Sequence, residues 1–206
     1  PSIVASGKNA CILHYVSNDK KLENNDLILI DAGSEWDYYS ADITRTWPVN
    51  GRFSSEQKDI YQLVLEANSK AIEECKVGNT INEPHMKALT TMVEGLIDLK
   101  VLNESVEEII EQRLYFPFYM HSTSHWLGLD VHDAGNYKDL EDNFTKLEEG
   151  MVLTIEPGLY FGDMAQNITK NYKNIGIRIE DDILIDRSGP INLSKDIPKE
   201  ITKLEK

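Results

Sequence analysis

Two short segments that lie far apart in the chain share one pattern. Residues 26–33 read DLILIDAG and residues 151–158 read MVLTIEPG, so each apolar run ends in an acidic residue shortly before a glycine. Apolar runs of this length are typical of buried β-strands, and each is followed by a second β-prone run that carries another acid. The repetition predicts two related halves, each contributing a β-hairpin with two inward carboxylates.

The segment between the two hairpins has helical periodicity. Apolar residues recur at helical spacing over residues 54–76, and Ser54 with Gln57 forms a capping box. A second helix is predicted over about residues 83–99, and a third, shorter helix begins at Ser105. Helices and hairpins in separate parts of the chain indicate an α+β fold.

The sequence predicts one helix pair, although two related halves would require two pairs. If the two halves match, the helix pair belongs to the second half, and the pair of the first half would precede Pro1. We therefore expect the chain to be part of a longer protein, lacking the first helix pair.

Four carboxylates and one imidazole lie in or beside the predicted strands. They are Asp31, Asp42, His125, Glu156 and Glu180. Burying several carboxylates together is costly unless protons or cations neutralise them. A set of oxygen ligands with one nitrogen suits Mn²⁺, Fe²⁺, Co²⁺ or Zn²⁺, and four negative charges balance two divalent ions. The pattern favours a two-metal site.

Each of these residues alone has an ordinary structural explanation. The aspartate of DAG can form a turn, His125 can be a satisfied structural histidine, and Glu180 can be a solvated charge at a strand end. Their joint occurrence at corresponding places in two similar hairpins favours the metal site. Asp181 and Asp182 are expected to face solvent or accept local hydrogen bonds, and His85 is expected to be a solvated surface residue.

Six motifs together resemble the catalytic domain of the aminopeptidase P family. They are CILHY at 11–15, DAG at 31–33, DITRT at 42–46, HSTSHWLGLDVHD at 121–133, and EPG at 156–158 with GIRIEDD at 176–182. The resemblance implies a pita-bread (creatinase/aminopeptidase) fold, with pseudo-two-fold halves around a curved, mainly antiparallel sheet. Residues 1–206 would then be a metallopeptidase catalytic domain without the family's N-terminal domain. The implied reaction is release of the N-terminal residue from peptides with proline in second position.

The resemblance also implies a role for each ligand. Asp31 chelates one metal, Asp42 and Glu180 bridge the two, and a water or hydroxide bridges the pair as the nucleophile. His125 and Glu156 complete the second metal site, and Glu156 accepts the nucleophile's proton as general base. The implied cofactor is two divalent ions, and Mn²⁺ is the ion we expect.

Four further residues are predicted to contact substrate by the same resemblance. His132 donates a hydrogen bond to the substrate carbonyl, and with Glu156 and His14 it forms the predicted catalytic set. His14 is also a wall of the substrate pocket, and His121 lies near the prolyl side. Arg178 is assigned to the substrate site as the residue that orients the ligand carboxylates.

Composition excludes some partners. The net charge of −14 repels nucleic acid, and no apolar run approaches the ~20 residues of a membrane helix. Two widely separated cysteines are consistent with a cytoplasmic protein. A peptide substrate is expected, and the full-length protein is expected to be a homo-oligomer.

Other functions remain open from the sequence. A prolidase, which cleaves only Xaa-Pro dipeptides, uses the same metals. Methionine aminopeptidase is a more distant alternative, disfavoured by Trp126 and the extended histidine pattern. A non-catalytic pita-bread binding module is disfavoured because the five ligands are all present.

Overall fold

The computed structural model describes residues 2–165 and 171–206, which form an α+β fold as predicted. The strands are β1 (Ile3–Ser6), β2 (Leu27–Asp31), β3 (Glu35–Trp36), β4 (Tyr39–Ser40), β5 (Thr44–Pro48), β6 (Val152–Ile155), β7 (Gly158–Tyr160), β8 (Gly176–Arg178), β9 (Asp181–Leu184) and β10 (Ile191–Asn192). The helices are α1 (Ser55–Glu73), α2 (Asn82–Asp98), α3 (Val106–Glu111) and the short α4 (Ile201–Leu204). Residues 7–11 form a 3₁₀ turn.

The first predicted hairpin is present. Strands β2 and β5 pair antiparallel with Asp31 opposite Thr44, and β1 pairs with the other edge of β2. Their connection folds into a small hairpin of its own, formed by β3 and β4. Asp42 lies in the last part of this connection, just before β5, so both acids of the hairpin lie at the same end.

The second hairpin differs from what its sequence predicts, which is one strand over residues 150–161 and another over residues 175–185. Each run divides in two, so that β6 pairs with β9 and β7 pairs with β8. The register continues across the break and places Glu156 opposite Glu180. The ladder is interrupted here because Pro157 has no N–H, and because the N–H groups of Glu156 and Glu180 donate to carbonyls of other segments. The break therefore coincides with the two glutamates.

The two glycines of the repeated motif are both required by close packing. A Cβ atom at Gly33 would overlap the carbonyl oxygen of Ala41. A Cβ atom at Gly158 would lie 2.5 Å from the Tyr160 hydroxyl and 2.9 Å from the carbonyl oxygen of Ile177. The repeated DAG and EPG glycines thus allow the hairpins to close beside their acids.

The helices lie where the periodicity predicted them. Ser54 and Gln57 form both hydrogen bonds of the capping box of α1, and Ser105 caps α3. Helix α1 packs along α2 and also contacts β6, β7 and β8, so that the main core lies between the helices and the second hairpin. The polar connection over residues 162–174, whose composition predicts a loop, lies partly outside the described residues. Among the described helices, none is long and apolar enough to cross a bilayer.

Candidate metal centre

The five predicted ligands converge on one cavity of about 350 Å³. One ligand atom from each of Asp31, Asp42 and Glu180 can be chosen so that all lie within 4.8 Å of one another, and the same holds for His125, Glu156 and Glu180. Glu180 belongs to both groups. A third group joins Asp42, His125 and His132, so the predicted ligands form adjoining sets linked through Glu180 and Asp42.

The histidine segment reaches the cavity because it runs beside β6. The N–H of Thr154 donates to the carbonyl of His125, and the N–H of Glu156 donates to that of Thr123. This antiparallel pairing brings the Nε2 atom of His125 to 3.7 Å from Glu156 Oε1 and to 3.4 Å from Asp42 Oδ2. Nδ1 of His125 donates to the carbonyl of Trp126, so Nε2 is the nitrogen that faces the carboxylates.

Burial of the carboxylates strongly perturbs their titration. Desolvation raises the pKa of Glu156 to about 7, and desolvation together with repulsion from Glu156 raises the pKa of Glu180 well above its usual range. Desolvation also raises the pKa of Asp31. For Asp42, burial is outweighed by hydrogen bonds from His125 and Asp31, which lower its pKa. Without cations, the cluster retains protons that exposed carboxylates would release.

A buried arginine and a buried threonine hold two of these acids in place. Arg178 Nη2 donates to Asp31 Oδ2 at 2.5 Å, and Arg178 Nε donates to the Thr44 hydroxyl at 3.1 Å. The same hydroxyl donates to Glu180 Oε2 at 2.7 Å. Arg178 and Thr44 thereby connect the acids of the first hairpin to those of the second.

His121 is fixed by a directed chain of hydrogen bonds. Nδ1 of His121 donates to the carbonyl of Ser122 at 2.8 Å, because a carbonyl can only accept. Burial lowers the pKa of His121 to about 3, so the ring is neutral and Nε2 accepts from the Tyr160 hydroxyl at 2.8 Å. Tyr160 in turn accepts from Arg178 Nη1. Both ring nitrogens are occupied, which leaves the ring surface to face the cavity.

His132 and His14 line the open side of the cavity. The ring of His132 packs edge-on against that of His125, with 4.3 Å between centroids. Desolvation and the neighbouring His125 lower the pKa of His132. All nine predicted site residues therefore border one cavity, and their individual roles remain predictions.

Two expectations about neighbouring residues were wrong. Asp181 and Asp182 are buried, with 0% and 4% of their surface exposed. Asp181 pairs with Arg45 at 2.7 Å and with Lys199 at 2.6 Å, and Asp182 accepts the N–H of Asp42. Arg45 and Lys199 lie far from or outside the strand of Asp181, so no local pattern predicts that they neutralise it.

His85 was also placed wrongly. Its ring is partly buried, and Nδ1 lies 2.8 Å from the Thr123 hydroxyl. The carbonyl of Thr123 accepts the N–H of Glu156. His85 therefore contacts the histidine segment at the residue that pairs with Glu156.

Two supporting residues were missed. Thr44 begins β5 (TRTWP) and Tyr160 ends β7 (GLY), and threonine and tyrosine are common in strands, so neither residue type indicates a site by itself. Their alternation with the ligands was the available signal: Thr44 is two residues from Asp42, and Tyr160 is four from Glu156. Alternate residues of a strand face the same side.

The donor set fits a pair of divalent cations. Four carboxylates and one imidazole meet in a cavity whose basic residue, Arg178, already pairs with Asp31. Oxygen donors with one neutral nitrogen match hard or borderline divalent metals, and two such ions balance four negative charges. Burial raises the pKa values of Glu156 and Glu180, and bound cations would offset this effect by favouring the charged carboxylates.

Comparison with known proteins gives a consistent result. Residues 1–187 match the model of metallopeptidase family M24. The chain is 50% identical over 204 residues to a Xaa-Pro aminopeptidase of Haemophilus influenzae, which covers 99% of this chain and 47% of that protein. It is 47% identical over 204 residues to a Xaa-Pro aminopeptidase of Escherichia coli, with coverage of 99% and 46%. The chain thus spans about half the length of the curated relatives it matches.

Solved structures agree with these relatives. Aminopeptidase PepP of Pseudomonas aeruginosa superposes with a TM-score of 0.96 at 47% identity, covering 98% of this chain and 46% of that one. Aminopeptidase P of E. coli with the inhibitor Pro-Leu superposes with a TM-score of 0.93 at 46% identity, with the same coverage.

Proposed function

Because the chain belongs to metallopeptidase family M24, we propose that the protein is a metal-dependent aminopeptidase releasing the N-terminal residue from peptides with proline in second position. The observation that carries the proposal is the pair of adjoining ligand sets sharing Glu180. The relatives named Xaa-Pro aminopeptidases support the choice of substrate. We also infer that the sheets containing β2 and β9 are corresponding halves of a pita-bread fold, and that the full-length protein is a homo-oligomer.

The proposed cofactor is two divalent ions, with Mn²⁺ as the preferred metal. Asp31, Asp42 and Glu180 would hold one ion, and Asp42 and Glu180 with His125 and Glu156 would hold the other. When bound, such a pair supplies an activated water near neutral pH and polarises the scissile carbonyl.

Glu156 is the proposed general base. It lies opposite Glu180 at the break in the ladder, and its side chain is 19% exposed, so it borders the cavity while remaining largely desolvated. Neighbouring cations would favour its ionised form, and the carboxylate would then take the proton of the attacking water. His132, neutral at working pH, is the proposed N–H donor to the carbonyl oxygen of the substrate.

The proposed selectivity for proline involves ring surfaces rather than hydrogen bonds. Both nitrogens of His121 are occupied by Ser122 and Tyr160, so its exposed ring atoms offer van der Waals contact. A proline ring, which has no N–H in a peptide, suits such a contact. His14 lies in the same cavity and is the proposed wall for the substrate.

A substrate series tests the proposal. The protein, dialysed against Mn²⁺, is assayed with Ala-Pro-Ala, Ala-Ala-Ala and Ala-Pro. We expect rapid release of alanine from Ala-Pro-Ala alone. Hydrolysis of only Ala-Pro would identify a prolidase instead, and equal cleavage of both tripeptides would refute selectivity for proline.

A matched pair of variants tests the catalytic role of Glu156. Glu156→Gln keeps the shape of the side chain and removes the base, so kcat should fall by about 10²–10⁴. Glu94→Gln, an exposed glutamate on α2, should keep the wild-type rate. Wild-type turnover by Glu156→Gln would refute the assignment.

A further inference from the structure

Asn68 occupies an unusual position for an amide. It lies in the interior of α1, on the apolar face that also carries Val64 and Ala71, and none of its surface is exposed. Asparagine is a poor residue for a helix interior, and burying its amide is costly unless every polar atom has a partner. A side chain with these two costs is expected to make specific hydrogen bonds.

The partners of Asn68 are the residues directly preceding the two glutamate ligands. Its Nδ2 donates to the carbonyl of Ile155 at 3.0 Å and to the carbonyl of Ile179 at 3.3 Å. Glu156 follows the first of these residues and Glu180 follows the second. One amide nitrogen therefore bridges both ligand strands.

The orientation of this amide follows from chemistry. Lys199 Nζ lies 2.7 Å from Asn68 Oδ1, and an ammonium group can only donate. The amide oxygen must therefore face Lys199, and the NH₂ group must face the two carbonyls. Lys199 is itself held by Asp181 Oδ2 at 2.6 Å.

The bridge lies where the ladder between the two strands fails. In the antiparallel register Pro157 is opposite Ile179, and the N–H of Ile179 donates to the carbonyl of Pro157. The reciprocal bond cannot form because proline has no N–H. The amide of Asn68 supplies the donor that the carbonyl of Ile179 would otherwise lack.

We propose that Asn68 is a positioning residue for the metal centre: its amide fixes the distance between Glu156 and Glu180 by clamping the two strands at the break. The proposal rests on the proposed metal centre. The set formed by His125, Glu156 and Glu180 depends on this distance. The set formed by Asp31, Asp42 and Glu180 includes only one of the two glutamates, so it should depend on Asn68 less.

Two variants of Asn68 and one control test the proposal. Asn68→Leu removes both polar atoms at similar volume, and Asn68→Asp keeps an acceptor for Lys199 while removing the N–H donors. Tyr61→Phe is the matched control, since Tyr61 is a buried residue of the same helix whose hydroxyl donates to the carbonyl of Lys199. The control removes a hydrogen bond from α1 without touching a ligand strand.

Mn²⁺ binding is the first readout. Titration calorimetry and ion counting after dialysis should show that the weaker of two Mn²⁺ sites loses about tenfold to a hundredfold in affinity in both Asn68 variants. The other Mn²⁺ should be retained, and Tyr61→Phe should bind both ions as the wild type does. Wild-type Mn²⁺ affinities in both Asn68 variants, or equal losses in Tyr61→Phe, would overturn the proposal.

Amide hydrogen exchange gives a second readout that needs no metal. In the metal-free protein, the N–H groups of Glu156 and Glu180 should exchange faster in the Asn68 variants than in Tyr61→Phe. Unchanged exchange at both amides would overturn the clamp even if the wild type bound no Mn²⁺. Conversely, if the wild type binds Mn²⁺ but does not cleave Ala-Pro-Ala, the proposed aminopeptidase activity is refuted. The comparison of Mn²⁺ affinities between the wild type and the Asn68 variants would still decide the role of Asn68.

Discussion

Replacing Glu156 by glutamine should make the metal-free protein more stable at alkaline pH. Burial raises the pKa of Glu156 from 4.5 to about 7. A raised pKa in the folded state favours folding at pH values below the ordinary pKa, and this advantage disappears as the pH rises through the raised value. Glutamine resembles the protonated acid at every pH and does not become charged.

The size of the effect follows from the shift. Moving a pKa from 4.5 to about 7 corresponds to roughly 3 kcal/mol of unfolding free energy. The difference in free energy of unfolding between Glu156→Gln and the wild type should therefore change with pH. It should be small at pH 5 and approach roughly 3 kcal/mol in favour of the variant above pH 8. For a chain of this size, each kcal/mol corresponds to about 2–4 °C in Tm.

The assay is thermal and urea unfolding of chelator-treated protein between pH 5 and 9. Glu94→Gln is the control, and it should follow the wild type throughout. Adding Mn²⁺ should reverse the order at pH 8, because the wild type gains binding energy that the variant has lost. The reasoning is refuted if the advantage of Glu156→Gln over wild type does not grow with pH in the metal-free state.

Three further substitutions test the supports of the site. Thr44→Val removes the hydroxyl that binds Glu180 and Arg178, so it should lower the free energy of unfolding in urea by about 1–3 kcal/mol and weaken Mn²⁺ binding. Thr202→Val, at an exposed position, should change neither quantity. Arg45→Met removes one of the two cations that pair with the buried carboxylate of Asp181 and should lower the free energy of unfolding by about 3–5 kcal/mol. Lys58→Met breaks an exposed ion pair and should change the free energy of unfolding little. Gly33→Ala introduces a Cβ that overlaps a backbone carbonyl and should cost about 1–3 kcal/mol, measured as a lowered urea midpoint. An unchanged midpoint in any of these three site variants would contradict the packing or pairing described for it.

The grouping of the candidate ligands around one cavity could be predicted because these residues are conspicuous in the sequence. Asp31 and Glu156 each end an apolar run, and an acid in such a run requires neutralisation, so the residue type alone indicates a site. The two hairpins and the helix caps also depend on local signals, and they formed as expected.

The supporting residues could not be predicted in the same way, because their partners are distant in sequence. Asn68 lies 87 residues from Ile155, and Arg45 lies 136 residues from Asp181. By residue type alone, Asn68 is a disfavoured residue in a helix, and Arg45 is a charged residue expected to face solvent. Only the fold shows that Arg45 and Lys199 neutralise Asp181, which is why the solvent-facing expectation failed. The interruption of the second hairpin was missed because apolar residues resume after Pro157, so the pattern resembles one strand even though proline cannot donate to the ladder.

The segment from Ser194 to Lys199 supports the candidate metal centre from outside it. Ser194 and Lys199 both bind Asp181, and the carbonyl of Ile197 accepts from Arg45. This segment carries none of the predicted ligands, yet it holds Asp181, which directly follows Glu180, and Arg45, which lies three residues after Asp42. A chain cut before Ser194 would keep all five predicted ligands and lose these contacts, so residues outside the candidate metal centre help to fix the strands that border it.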